Sequence, residues 1–101
     1  IIDFLAKPVL PNWDQMDLCQ RRQFWQGSLQ YDRSTELVPR EKVCALEIWA
    51  ECFNSDPKYI KRMDSFEINS IMSGLKGWKR NKDKRRYGPY GPRRGFERCT
   101  T

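Results

Sequence analysis

Residues 65–80 read SFEINSIMSGLKGWKR, a pattern that predicts a helix followed directly by a strand. Its apolar side chains recur at the i, i+3, i+4, i+7 spacing of one buried helix face. These side chains are Ile68, Ile71, Met72 and Leu75. We expect Asp64 or Ser65 to cap this helix. Phe66 is predicted to pack at the helix start, and Gly77 to form its C-cap.

The other face of this predicted helix carries only small or polar side chains. They are Asn69, Ser70, Ser73, Gly74 and Lys76. Short polar groups on a helix can read the edges of base pairs in the major groove. An ordinary solvated face is the alternative interpretation of the same pattern. The candidate groove-contacting residues are therefore Asn69, Ser70, Ser73 and Lys76.

Two short segments after the helix alternate between apolar and polar residues, which predicts a β-hairpin. Residues 78–80 form its first strand and residues 95–98 its second. Trp78 and Phe96 are expected to point inward and to hold the hairpin against the helices. The long tip between the strands contains two Gly-Pro pairs and many charged residues. We expect this tip to form a basic wing.

The basic charge of the chain is concentrated in this hairpin. Residues 76–99 hold ten lysines or arginines and two acidic residues, a net charge of +8, whereas residues 1–75 carry a net charge of −2. A run of charge is often only a solvated surface, but here the cations alternate with aromatic and glycine residues. Because phosphates dominate nucleic-acid affinity, this pattern favours nucleic-acid binding.

The candidate contacts in the hairpin divide by chemical type. The cations predicted to hold phosphates are Arg80, Lys82, Lys84, Arg85, Arg86, Arg93 and Arg94. Lys79 and Arg98 are expected to support them from the strands, although the alternation of a strand can turn either one away. Tyr87 and Tyr90 are expected at the tip, where their rings would stack on bases or pack on sugars.

The first part of the chain predicts an arm followed by a long helix. Two prolines predict that residues 1–12 form an extended arm or linker, with room for one short turn. The first helix is expected over residues 13–30, capped by Asn12 or Asp14. Its apolar face consists of Leu18, Trp25 and Leu29.

A second helix is expected over residues 45–53, with a short strand at residues 43–44 leading into it and a helical turn starting at Pro57. Long helix, short helix, turn, third helix and basic hairpin follow one another in the order of a winged helix-turn-helix. In that architecture the third helix enters the major groove. We therefore predict one winged-helix domain over residues 13–101, mainly α with a small β-hairpin.

The composition excludes several classes of function. Four cysteines lie far apart and the chain has no histidine, so neither a zinc site with closely spaced ligands nor a histidine-dependent active site is expected. No Gly-rich phosphate-binding loop is present, and no apolar run approaches the roughly 18–20 residues of a membrane span. We expect no metal, cofactor or catalytic activity, and reduced thiols in a cytoplasmic protein. Because the chain does not begin with Met, a longer parent protein is also expected.

Four pieces of the sequence carry a resemblance to a known family. They are RRQFWQGSLQYD at residues 21–32, VCALEIW at 43–49, SFEINSIMSGLKGWKR at 65–80 and YGPYGPRRGFER at 87–98. In this order they resemble the C-terminal region of virulence-associated E (VapE-like) proteins, which occur in bacterial genomic islands, phages and mobile elements.

In that family a P-loop ATPase similar to replication helicases precedes this region. The resemblance implies that the chain is the DNA-binding tail of a replication-type protein, and that the ATPase part of the same protein is its partner. It also implies a bacterial cytoplasmic location.

Two other classes of function are compatible with the sequence. A protein–protein adaptor would use acidic residues of the first half to dock a basic partner; these are Asp14, Asp17, Asp32 and Glu36. A single-stranded nucleic acid would be held by the tyrosines and arginines of the hairpin. Double-stranded DNA is the partner that we predict.

Overall fold

The structure, a computed structural model, describes residues 1–99, so residues 100 and 101 of the predicted domain lie outside the described part. Within residues 1–99 the chain forms four helices and five strands. The helices are α1 (Ile2–Ala6), α2 (Leu18–Gln26), α3 (Ala45–Glu47, continued by a π-helical turn at Ile48–Cys52) and α4 (Arg62–Ser73). The strands are β1 (Lys42–Val43), β2 (Trp78–Arg80), β3 (Arg85–Arg86), β4 (Pro92–Arg93) and β5 (Phe96–Arg98). Single 3₁₀ turns cover Trp13–Gln15, Pro57–Tyr59 and Gly88–Tyr90.

β5 lies between β1 and β2 in a three-stranded antiparallel sheet. Val43 of β1 pairs with Phe96, and Trp78 of β2 pairs with Arg98. The pairing of β2 with β5 confirms the predicted hairpin, and β1 confirms a short strand before the second helix. β3 and β4 form a second, two-stranded sheet inside the long tip. The described chain therefore belongs to the predicted α+β class.

The three-stranded sheet packs on the helices through one apolar cluster. Its buried members are Phe4, Leu5, Val43, Ile48, Ile68, Met72 and Phe96. Phe96 is fully buried and Trp78 is half-buried against the same cluster, so both point inward as predicted. Each buried side chain of this size contributes about 1.5–3 kcal/mol. The cluster thus fixes the base of the hairpin to the helices.

The predicted arm at residues 1–12 is wrong, because this segment is part of the packed structure. Its α1 helix buries Phe4 and Leu5 in the main cluster. Further on, Val9 forms an antiparallel bridge with Val38, with both N–O distances at 2.8 Å. Pro8 ends the helix, since Lys7 before it is extended, but the apolar residues between the two prolines are still buried.

The predicted first helix over residues 13–30 is also wrong in its bounds. Trp13–Gln15 is only a 3₁₀ turn, and α2 begins at Leu18. Asp17 caps α2, in place of Asn12 or Asp14: its carboxylate accepts from the Gln20 amide at 2.8 Å, and the Gln20 side chain accepts from the Asp17 amide at 3.0 Å. This capping box selects the start of the helix, and Gly27 ends it in a left-handed conformation.

The second helix is confirmed, since α3 and its π-helical turn run from Ala45 to Cys52. The helical turn at Pro57 is confirmed as well. Together they place the N-terminus of α3 beside the start of α4 and below the hairpin tip, where one groove touches all three.

The third predicted helix exists, but its ends and its buried face differ from the prediction. α4 begins at Arg62, because the Asp64 carboxylate accepts from the Lys61 amide at 2.9 Å one turn earlier than expected. Gly74 replaces Gly77 as the C-cap. Of the predicted buried stripe, Ile68 and Met72 are buried, Leu75 is half-buried and Ile71 is exposed. Phe66 is exposed and does not pack at the helix start.

Candidate nucleic-acid interface

A buried ionic cluster holds the hairpin tip against the helices. The Glu51 carboxylate accepts from Arg21 Nη1 at 3.0 Å, from Trp25 Nε1 at 2.9 Å and from Tyr90 Oη at 2.6 Å. Arg40 pairs with Glu47 beside it. Two guanidinium groups and two carboxylates are thus buried together with no net charge. Because a buried charge is stable only when it is paired and hydrogen-bonded, this cluster fixes Tyr90 to α2 and α3.

The predicted base-stacking role of Tyr87 and Tyr90 is wrong, because both rings are buried. Tyr87 is 1% exposed and Tyr90 9% exposed, and they pack in one cluster with Cys44 and Ala50. The 3₁₀ turn Gly88–Tyr90 folds the tip back onto the helices, where the Tyr90 hydroxyl reaches its carboxylate partner. Burial raises the pKa of both phenols. The tyrosines therefore support the hairpin from within.

The cations of the tip surround this buried support. Those that are exposed and form no ion pair within residues 1–99 are Arg80, Lys82, Lys84, Arg85, Arg86, Arg93 and Arg94. The guanidinium of Arg80 also lies 5.8 Å from the ring centre of Phe96. Seven positive groups are thus held on one short, doubly stranded segment with their charges directed to solvent.

Like charges face one another across the second sheet. Arg85 is the direct cross-strand partner of Arg93, and Arg86 that of Pro92. Like charges in such positions destabilise a strand pair. The Nε group of Arg93 donates to the Tyr90 carbonyl at 3.0 Å, which holds this side chain in place. An anion between the two arginines would relieve their repulsion.

Lys79 and Arg98 are occupied within the fold. Lys79 Nζ lies 3.5 Å from Glu97 Oε1 on the neighbouring strand. Arg98 stacks 4.7 Å from the ring centre of Trp78 and donates to the carbonyls of Leu5 and Arg40. The strand alternation therefore turns Arg98 inward, and its predicted place in a DNA-contacting set is wrong.

The structure brings one residue of the candidate helix face together with the hairpin cations. Half-buried Asn69 lines a groove of about 400 Å³ that Lys84, Arg93 and Arg94 of the hairpin also line. The first turn of α3 and the segment before α4 line the same groove.

Three other predicted residues of the helix lie outside this groove. Ser70 and Ser73 are exposed, and the Ser73 hydroxyl donates to the Asn69 carbonyl at 2.9 Å. Lys76 lines a separate, apolar groove with Ile2 and Trp78. The structure therefore groups Asn69 with the hairpin, and it places Lys76 apart from that groove.

Two features of this surface were not predicted from the sequence. Lys42 donates to the Arg86 carbonyl at 2.6 Å and lies 2.9 Å from Asp14 Oδ2, so it ties the hairpin tip to the segment before α2. Met63 and Phe66 are exposed on α4. A single lysine beside a short strand gives no sequence signal for the first contact. Phe66 is predicted to pack at the helix start, so its exposure was not expected either.

Neither a protein-family model nor a curated protein matches this sequence. Among residues 1–99, no helix is long and apolar enough to cross a membrane. The same part of the chain shows no group of three or more acidic or cysteine side chains placed to hold a metal ion. What the surface offers chemically is a set of positive charges beside a helix with exposed polar and apolar groups.

Proposed function

We propose that this chain is a non-catalytic DNA-binding domain with a winged-helix architecture, which binds double-stranded DNA through α4 and the basic hairpin. The order of its elements supports the architecture: β1 stands between α2 and α3, and the hairpin strands β2 and β5 follow α4. The strand order β1-β5-β2 is the one in which a winged helix arranges its sheet. α1 is an addition at the N-terminal end.

One observation carries the proposal. Seven exposed cations without an ion-pair partner in residues 1–99 project from a hairpin that internal contacts hold rigid, and three of them share a groove with Asn69 of α4. Lysine and arginine on the face that meets the duplex supply most of the affinity for DNA. Phosphate contacts from the hairpin would then position α4 at the base edges of the major groove.

The contacts of the tyrosines and acids favour duplex DNA over the two alternatives. Tyr87 and Tyr90 are buried, so they offer no platform on which single-stranded bases could stack. Asp14 pairs with Lys42, and Asp17 caps α2, so two of the acids available for an adaptor surface already have partners.

The resemblance to VapE-like proteins supports a place in a replication-type protein of a phage or mobile element. On this proposal the domain follows a P-loop ATPase of the same chain, in the bacterial cytoplasm, and keeps that ATPase on double-stranded DNA. The domain itself contributes binding and no chemistry.

A salt titration of binding to a short duplex tests the proposal. If four to six cations contact phosphates, log K is expected to fall against log salt with a slope of about −4 to −5. The double variant Lys84→Gln/Arg85→Gln is expected to weaken binding and to reduce the slope by about 2. The matched variant Lys7→Gln/Arg33→Gln removes the same charge outside the hairpin and should leave the slope unchanged. A slope near zero for the unmodified chain would refute the proposal.

A further inference from the structure

α4 carries an exposed aromatic side chain on the helix stripe that borders the hairpin groove. The stripe has the spacing i, i+3, i+4, i+7, which places its members on one face of the helix. These members are Phe66, Asn69, Ser70 and Ser73. Asn69 lines the groove together with Lys84 and Arg93. Asn69 is the member of the stripe that lines the groove, and the other three are exposed, so the stripe runs from the edge of the groove onto the free surface of α4.

The fold leaves this apolar surface without an intramolecular partner in the described residues. Phe66 is 70% exposed, and Met63, one turn earlier on the helix, is 72% exposed. An apolar patch that is surrounded by polar residues is typical of a contact surface. The charge of the neighbouring hairpin restricts what that contact can be, because seven free cations select a polyanion.

We infer that Phe66, supported by Met63, contacts the C5-methyl groups of thymines in the major groove, so that α4 prefers A·T base pairs through an apolar contact. This inference rests on the proposed function. The thymine methyl is the apolar group that base edges present in the major groove, and phenylalanine is among the side chains that contact it. Phe66 stands in the first half of α4, the part of a recognition helix that meets base edges.

The stripe also explains how such a contact would be positioned. Ser70 follows Phe66 by one helical turn, and its hydroxyl is free to bond an adjacent base edge. The hairpin cations bind phosphates and carry no sequence information. Discrimination between sequences therefore falls to α4, and within α4 to the apolar side chain and the short polar groups next to it.

Two duplexes of alternating A·T sequence, one with thymine and the other with deoxyuridine, isolate this contact. They have the same phosphates and the same hydrogen-bonding groups and differ in the C5-methyl group. Burial of one group of that size is expected to tighten binding of the thymine duplex about fourfold, and more if several methyl groups are covered.

The variant Phe66→Ala is expected to bring the ratio of the two Kd values close to one. The matched variant Ile71→Ala removes an exposed apolar side chain from the other side of the same helix, and it should leave the ratio unchanged. Both positions are exposed, and a circular dichroism spectrum of each variant checks that it is folded.

The outcomes separate this inference from the proposed function. A thymine preference that disappears in Phe66→Ala and persists in Ile71→Ala supports it. Salt-dependent binding with equal affinity for both duplexes, or a preference that Phe66→Ala retains, overturns the thymine contact and leaves duplex binding intact. Absence of binding to either duplex overturns both. The unmodified chain could instead self-associate and show no thymine preference. If Phe66→Ala then abolished self-association and Ile71→Ala did not, the patch would be a protein contact and the inference would be overturned.

Discussion

Replacing Tyr90 with phenylalanine removes one hydrogen bond and keeps the ring. The Tyr90 hydroxyl donates to Glu51 Oε2 at 2.6 Å in a buried site, and the carboxylate retains Arg21 and Trp25 as partners. A hydrogen bond to a charged group contributes about 1.5–3 kcal/mol. We expect Tyr90→Phe to lower the free energy of unfolding by about 2 kcal/mol. For a domain of this size, that corresponds to a fall in Tm of roughly 10 °C.

Urea unfolding followed by tryptophan fluorescence measures this change directly. The m-value is expected to stay constant, because the surface exposed on unfolding does not change. Tyr59→Phe is the matched control. It also removes a tyrosine hydroxyl, but Tyr59 is exposed, so the free energy of unfolding should change by less than about 0.5 kcal/mol. If Tyr90→Phe is as stable as the unmodified chain, the hairpin is not held by the buried cluster, and the reasoning fails.

Three further experiments test the packing and the buried titratable groups. Gly95→Ala would place a carbon 2.5 Å from the Tyr87 hydroxyl. We therefore expect the free energy of unfolding, measured in urea, to fall by about 1–3 kcal/mol. Unchanged stability would contradict this expectation. Burial raises the pKa of Cys44 to about 12, so iodoacetamide at pH 8 should modify exposed Cys19 first, as mass spectrometry would show. Burial also raises the pKa of Glu47, so the folded chain holds this proton more tightly than the unfolded chain does. The free energy of unfolding therefore falls as pH rises through this pKa. An NMR titration that gave the Glu47 carboxyl a pKa of 4.5 or less would contradict this expectation.

The elements whose residues interact locally were predictable from the sequence. The spacing of Ile68 and Met72 indicated a helix with a buried face, and alternation around Trp78 and Phe96 indicated a hairpin. The capping box of Asp17 and Gln20 is also visible in the sequence as a D-x-x-Q pattern, but Asn12 and Asp14 are earlier candidate caps, and they predict the wrong start of the helix. In each case the signal lies within a few residues of the element that it defines.

The contacts that join distant segments were not predictable in this way. Tyr90 is buried because its hydroxyl meets Glu51, which is 39 residues away in the sequence. Phe66 lies on the opposite face of α4 from Ile68 and Met72, and no element within residues 1–99 covers it, so it stays exposed. The N-terminal residues Phe4 and Leu5 join the same core cluster as Phe96, which lies near the other end of the chain. Local patterns specify which face is apolar, but they do not specify what covers it.

An NMR titration of the isotopically labelled chain with a short DNA duplex maps the DNA-binding surface residue by residue. We expect amide shifts on the exposed stripe of α4 and on residues 80–94, with little change along α2. Shifts that concentrate on α2, or a spectrum that does not respond to duplex DNA at low salt, would contradict the assignment of α4 and the hairpin as the DNA-binding surface.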